Sequence, residues 1–171
     1  LEMIKSEFTI KDRRIDTLAF DPQSKAFVII EYKRERNSSV IDQGFTYLSL
    51  MLQNQADFIL EYNETQARNL KRNDVDWSQT KVVFVSQGFT PNQREAVNFK
   101  DLSIELWEVK RYENDSVSIT PIRKSHASAS IKTVMQNSPE FKEVTEKIKE
   151  YSEENLLKGK SDDVVELYES Y

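Results

Sequence analysis

The chain has no cysteine, one histidine, three glycines and four prolines among its 171 residues. Without cysteine there can be no disulfide, no thiol nucleophile and no thiolate-ligated zinc. The single histidine, His126, excludes a histidine-rich metal centre, and it lies in a small, polar stretch that reads as exposed. With so few glycines there is no glycine-rich phosphate loop. No apolar run approaches the roughly 18 residues a membrane span needs, and the N-terminus has no signal-peptide pattern. Internal repeats are absent too. The expected home is therefore the cytoplasm, with no membrane partner.

Net charge is −5, which sits awkwardly with a nucleic-acid partner until it is located. Up to Lys124 there are 18 basic and 19 acidic residues, whereas from Ser125 onward there are 6 and 10. The acidity belongs to the tail. The body is nearly neutral, with a local basic cluster at Lys33, Arg34 and Arg36 beside Arg13 and Arg14. Neutralising phosphates needs such local charge more than a high overall pI. Length and a 38% apolar content suit one α/β domain with room for an appendage.

What is present is concentrated between Arg14 and Tyr47. Ile15 to Phe20 carries Asp16 amid mostly apolar residues, and Asp21-Pro22-Gln23-Ser24 has β-turn composition. Ala26 to Ile30 is an unbroken apolar run, the pattern of a strand buried on both faces, and it ends in Glu31-Tyr32-Lys33. Side chains alternate along a strand, so Glu31 and Lys33 share one face and Tyr32 points to the other. Paired as a hairpin, the two strands bring Asp16 close to Glu31. Two carboxylates with a backbone carbonyl and waters suffice for a hard cation such as Mg²⁺ or Mn²⁺. Such a metal polarises a phosphoryl oxygen and lowers the pKa of water, and a nearby ammonium stabilises developing charge. Beyond the basic loop, Ser39 with Asp42 approximates a capping box, and a helix is expected from Val40 to about Asn54. Ile41, Phe45, Leu48 and Leu52 form its expected core stripe. Gln43 and Tyr47, four apart, share the other side, either to orient a water, a phosphate or Lys33, or with Tyr47 as a packed aromatic.

Asp16, fourteen intervening residues and then Glu31-Tyr32-Lys33 resemble the PD-(D/E)XK motif of the restriction-endonuclease-like superfamily. The Arg-Ile-Asp lead-in at residues 14–16, with Gln43 followed by Tyr47, is similar to the branch containing the archaeal mismatch and single-strand endonucleases and the tRNA-endonuclease-like fold. Thr17 departs from the usual apolar residue after the aspartate, and the proline of the motif's name is missing. The resemblance implies a divalent-metal-dependent nuclease. On this resemblance Asp16 and Glu31 would hold Mg²⁺ or Mn²⁺, Lys33 would activate water or stabilise charge, and Gln43 and Tyr47 would support them. Arg14, Arg34 and Arg36 would hold the phosphates of DNA or RNA. Relatives place a helix before the first strand, often with an acidic residue facing the metal. Here the chain opens directly on a strand-like Ile4 to Ile10 and looks like an excised fragment, with Glu7 as a weak substitute.

Asp57 to Leu70 reads as a second helix with Ile59, Tyr62 and Gln66 on one side, followed by a polar connection whose Trp77 covers a core edge. Lys81 to Ser86 is a buried strand. Thr90-Pro91-Asn92-Gln93 announces a helix, Ile104 to Arg111 is the next strand, and Val117 to Ile122 is an edge strand. Strand–helix–strand with short links implies parallel neighbours joined by a right-handed crossover. The expected organisation is a nuclease-like domain over residues 1–123, a linker over 124–137 and a helical extension over 138–171. The last begins a helical module and offers a surface for a second copy of the chain or a protein partner. This order is similar to that of a bacterial and archaeal family labelled predicted transport proteins. The expected fold is three-layer α/β, restriction-endonuclease-like (tRNA-endonuclease-like), with a mixed central sheet. A rival from another class is a catalytically silent module that keeps the scaffold to bind nucleic acid or protein.

Overall fold

A computed structural model describes residues 1–34, 40–125 and 128–130. The chain divides into a unit Leu1–Ser128 and a second unit Ala129–Tyr171. The tail helices expected over 138–171, Arg36, His126 and the Ser39 cap lie outside the described residues.

Six strands form one sheet in chain order: β1 (Glu2–Ile10), β2 (Arg13–Asp21), β3 (Ala26–Lys33), β4 (Lys81–Ser86), β5 (Ile104–Arg111) and β6 (Val117–Pro121). β1, β2 and β3 make an antiparallel meander, β4 and β5 add parallel to β3, and β6 closes the edge antiparallel to β5. The mixed sheet expected from the sequence is the observed one. At the β2–β3 turn, Gln23 N–H donates to Asp21 Oδ1 at 3.0 Å and Ser24 Oγ–H donates to Oδ2 at 2.9 Å. The Ser24 hydrogen bond, foremost, holds the Asp21 carboxyl below its ordinary pKa. Pro22 pre-sets the turn's backbone.

Between β3 and β4 run α1 (Val40–Gln53) and α2 (Gln55–Gln66), and between β4 and β5 runs α3 (Pro91–Ala96). Both crossovers step across the sheet in one direction, and right-handed connections then put all their helices on one face. That face holds the main core, in which Phe27, Ile29, Val82, Phe84, Ile104 and Leu106 of the sheet meet residues of α1 and α2. The other face has a smaller cluster of Ala19, Val28, Val83 and Val85. Among the described residues the architecture is thus two layers, a sheet and one helix layer, where three layers were expected.

The inward face of α1 also differs from expectation. Val40, Gly44, Tyr47 and Met51 are buried, while Phe45 and Leu52 are 45% and 47% exposed. The reason is close approach: Gly44 lies against Ile104 and Phe84, so the helix settles on its glycine side rather than on its bulkiest stripe. In α2, Phe58 and Tyr62 are buried, with Phe58 edge-on to Phe8 at 5.5 Å. α2 ends at Gln66 rather than Leu70 because Ala67 turns left-handed (φ 49°) and its N–H closes on the Asn63 carbonyl. Trp77 stacks on Phe27 at 5.5 Å, covering the core edge. Thr90 and Gln93 form a reciprocal capping box with Pro91 in the first turn of α3.

Candidate active site

The β2–β3 register determines where the carboxylates stand. The last paired residues are Thr17 and Ile30; one step further along an antiparallel pair, Asp16 faces Glu31. The ladder hydrogen bond at that step is replaced by a side chain: Tyr32 N–H donates to Asp16 Oδ2 at 2.9 Å. Asp16 is half-buried, Glu31 is 7% exposed, and Tyr32 turns outward at 54%. Glu31 is flanked in β4 by its partner Phe84, so its carboxylate sits against a ring that cannot solvate it.

Polar contacts to that carboxylate come from its own strand and from α1. Lys33 Nζ approaches Glu31 Oε1 at 3.4 Å, donates to Gln43 Oε1, and lies 5.6 Å from the centroid of the Phe84 ring. Gln43 Nε2 donates to Glu31 Oε1 at 2.8 Å and to Tyr47 Oη at 3.0 Å. Tyr47 O–H donates to the Arg14 carbonyl at 3.1 Å. The Gln43 amide has one sensible orientation, because reversing it would set its oxygen against a carboxylate and its NH₂ against an ammonium. Glu31 Oε2, in contrast, is buried and has no hydrogen-bond partner among the described residues.

Asp16, Glu31, Lys33, Gln43 and Tyr47 are therefore gathered at the end of β3, under the first turns of α1. The i,i+4 spacing of Gln43 and Tyr47 stacks them: Tyr47 is a packed aromatic, 4% exposed, with its hydroxyl hydrogen-bonded to Gln43 and to the Arg14 carbonyl. Arg14 reaches the cluster through its carbonyl, while its guanidinium pairs with Glu7 at 3.5 Å. Arg34 is exposed just after β3. Glu7 lies in β1 between the pairs Ser6–Thr17 and Phe8–Ile15, alongside Asp16, yet its carboxylate turns to Arg14. No group of three metal-ligating side chains forms among the described residues. A cation would rest on the two carboxylates, a carbonyl and water. Sequence reasoning missed Phe84, the floor under Lys33, and Gly44, which lets α1 come close enough for Gln43 to reach; a lone glycine in a helical run was the available signal.

Burial, foremost, raises the Tyr47 phenol above its ordinary pKa, with the negative charges of Glu31 and Asp16 adding to it. The phenol thus stays protonated and able to donate at neutral pH. Tyr47→Phe should cost about 1 kcal/mol in urea unfolding at neutral pH, the net worth of one hydrogen bond. Because the folded pKa is raised, that advantage is complete below the unfolded value near 10 and fades as pH climbs through the folded one. Wild-type and variant stabilities should converge in strong alkali, and a constant gap would mean that the hydroxyl does not donate.

No described helix is long and apolar enough to cross a membrane. No family model matches the chain, and no solved structure matches it. An uncharacterized protein of Haemophilus influenzae is 56% identical over 168 residues, which make up 98% of this chain and 56% of that relative. The chain thus spans little more than half the length of the curated relative it matches.

Proposed function

We propose that the chain is the nuclease domain of a divalent-metal-dependent phosphodiesterase acting on DNA or RNA, with a restriction-endonuclease-like, tRNA-endonuclease-like fold. The observation that carries this reading is Glu31 Oε2. A buried carboxylate oxygen without a partner costs about 1–3 kcal/mol or more, and a cation shared with Asp16 offsets that cost. Two opposed carboxylates and no imidazole or thiol make a donor set for Mg²⁺ or Mn²⁺. Bound there, the cation supplies Lewis-acid polarisation of the phosphate and acidification of water.

The chain's own residues supply the rest. Lys33 holds an ammonium against Glu31, where it stabilises negative charge developing on phosphoryl oxygens or takes part in proton transfer from the attacking water. Gln43 fixes Lys33 and Glu31 at once, and Tyr47 fixes Gln43, so the donors are oriented before substrate arrives. Arg14 and Arg34, with Arg36 two residues further along the sequence, supply positive charge for backbone phosphates.

The test is thermal unfolding with Mn²⁺, Mg²⁺ or EDTA. Metal at about 100 times its dissociation constant should add about 2.7 kcal/mol. In Glu31→Gln the added stability should vanish. A metal shift that survives in both Glu31→Gln and Asp16→Ala would put the ion elsewhere, and no shift at all would favour a silent binding module.

A further inference from the structure

The carboxyl ends of β3, β4 and β5 carry a second group of side chains, on the sheet face turned away from α1, α2 and α3. Tyr32, Val85 and Trp107 stand in register across these strands, and alternation puts Val109 and Arg111 on the same side. β6 continues that face, with Ile119 opposite Val109 and Val117 opposite Arg111. Tyr32, Tyr112, Val117 and Ile119 are each more than half exposed. Tyr32 and Tyr112 are the only exposed tyrosines among the described residues. Beside Tyr112 lies a pocket of about 520 Å³ lined by Gln87, Val109, Lys110, Arg111, Tyr112 and Val117. Lys110 and Arg34 are exposed. Arg111 pairs with Asp115 at 2.6 Å in the turn that also carries Glu113, with both partners largely in solvent, and such a pair is readily given up for another anion.

We propose that this corner binds an unpaired strand of nucleic acid, its bases stacked on Tyr32 and Tyr112. The proposal rests on the nuclease reading for the class of ligand and adds which form of nucleic acid is taken. Tyr32 lies between Glu31 and Lys33 in the chain and is tied to the site by its N–H on Asp16 Oδ2. β3 ends at Lys33, so a strand with a phosphate at Lys33 passes the tip of β3 within reach of the Tyr32 ring on the other face. From there Tyr112 lies two strand spacings across and five residues further on, about 20 Å away. Arg34 follows the first tyrosine, and Lys110 and Arg111 precede the second, so cations for phosphates alternate with aromatic faces for bases. Single strands are bound by this combination, because every base has a face to stack. A duplex has its bases stacked on one another and offers the tyrosines none. The Gln87 amide in the pocket can both donate and accept at a base edge.

Fluorescence anisotropy on the whole chain, in EDTA so that nothing is cut, tests this. The probes are a labelled single strand of about 12 nucleotides, made as DNA and as RNA, and the DNA sequence as a duplex. One of the single strands should bind about tenfold tighter than the duplex, and the tighter of the two names the substrate. Charge alone favours the duplex, the denser polyanion, so that order isolates stacking. Tyr32→Ala and Tyr112→Ala should each weaken single-strand binding about tenfold, the effect of losing one stacked base, at unchanged melting temperature. Tyr32→Phe and Tyr112→Phe, which keep the ring, should bind as wild type does. Lys110→Gln should flatten the salt dependence by a slope of about 0.7. A duplex bound as tightly as either single strand overturns the proposal, and so does a wild type that binds neither. Alanine variants that bind like wild type, or phenylalanine variants as weak as the alanine ones, overturn it too. Cleavage is scored separately. A chain that binds the strand through both tyrosines yet cuts nothing keeps this surface and loses the nuclease reading. A metal-dependent nuclease indifferent to both tyrosines keeps its activity and loses this surface.

Discussion

Lys33→Ala should reduce phosphodiester cleavage by about a thousandfold or more while leaving Mn²⁺ affinity within a few-fold of wild type. Removing one preorganised donor to a developing oxyanion costs about 10²–10³ in turnover, and loss of a proton-transfer group about 10²–10⁴. Lys33 is the one cation of the gathered cluster and is held from three sides, by Glu31, Gln43 and the Phe84 ring. The metal, in contrast, would rest on Asp16 and Glu31, which the substitution leaves in place. Asp16→Ala should lose both metal and activity, because it removes a ligand and also frees the Tyr32 N–H. The assay is cleavage of labelled single-stranded, duplex, mismatched and RNA substrates with Mg²⁺, Mn²⁺ or EDTA, alongside Mn²⁺ titration by calorimetry. A purely structural Lys33–Glu31 pair gives a different pattern. Lys33→Ala would then be destabilised by about 3–5 kcal/mol, as when one partner of a buried pair is removed. Any cleavage below its melting point would be unchanged. That pattern, or a full-length protein that cuts none of the substrates, would leave the silent binding module as the better account.

Much of this cluster was legible because it hangs on one strand and one helix close in sequence. Period-2 alternation puts Glu31 and Lys33 on a common face, and the length of the Asp21–Ser24 turn decides that Asp16 comes opposite Glu31. The 3.6 period stacks Gln43 and Tyr47. Less legible was the side of α1 that turns inward. By hydrophobicity the Ile41–Phe45–Leu48–Leu52 stripe outranks Val40–Gly44–Tyr47–Met51, but burial depends on fit as well as transfer energy. Gly44 lets the helix approach the sheet as no larger residue would. Of the bulkier stripe, Phe45 and Leu52 are left outside, while Ile41 and Leu48 pack at the edge of the core. Among the described residues the layer count follows from topology: three layers were expected, whereas successive crossovers in one direction place α1, α2 and α3 on one face. The pairing of Phe84 with Glu31 was not legible at all, since it depends on a register between strands fifty residues apart.

Gly44→Val should cost about 3 kcal/mol and loosen the candidate site with it. A β-carbon at Gly44 would stand 2.5 Å from Ile104 Cδ1, 3.1 Å from its Cγ1 and 3.4 Å from Phe84 Cε2. Ile104 and Phe84 are wholly buried, so neither can swing into solvent, and overpacking of this kind costs about 1–3 kcal/mol or more. Two added methyl groups lie at the upper end. Relief has to come from α1 lifting off the sheet, which draws Gln43, the preceding residue, away from its 2.8 Å bond to Glu31. The loss in urea unfolding should therefore be matched by a fall in Mn²⁺ affinity, although residue 44 touches no proposed ligand. Gly44→Ala is a finer probe, because the helix gains about 1 kcal/mol from replacing glycine and the clash takes back that much or more. Only the terminal Cδ1 of Ile104 is closer than 3 Å, and Ile104→Val removes that atom at a cost of about 0.5–1.5 kcal/mol when made alone. Together the two substitutions should cost about 1 kcal/mol less than their sum, a coupling of the size expected for side chains in direct contact. Strict additivity would mean that α1 does not rest on Ile104 through Gly44, and the account of how Gln43 reaches Glu31 would have to be replaced.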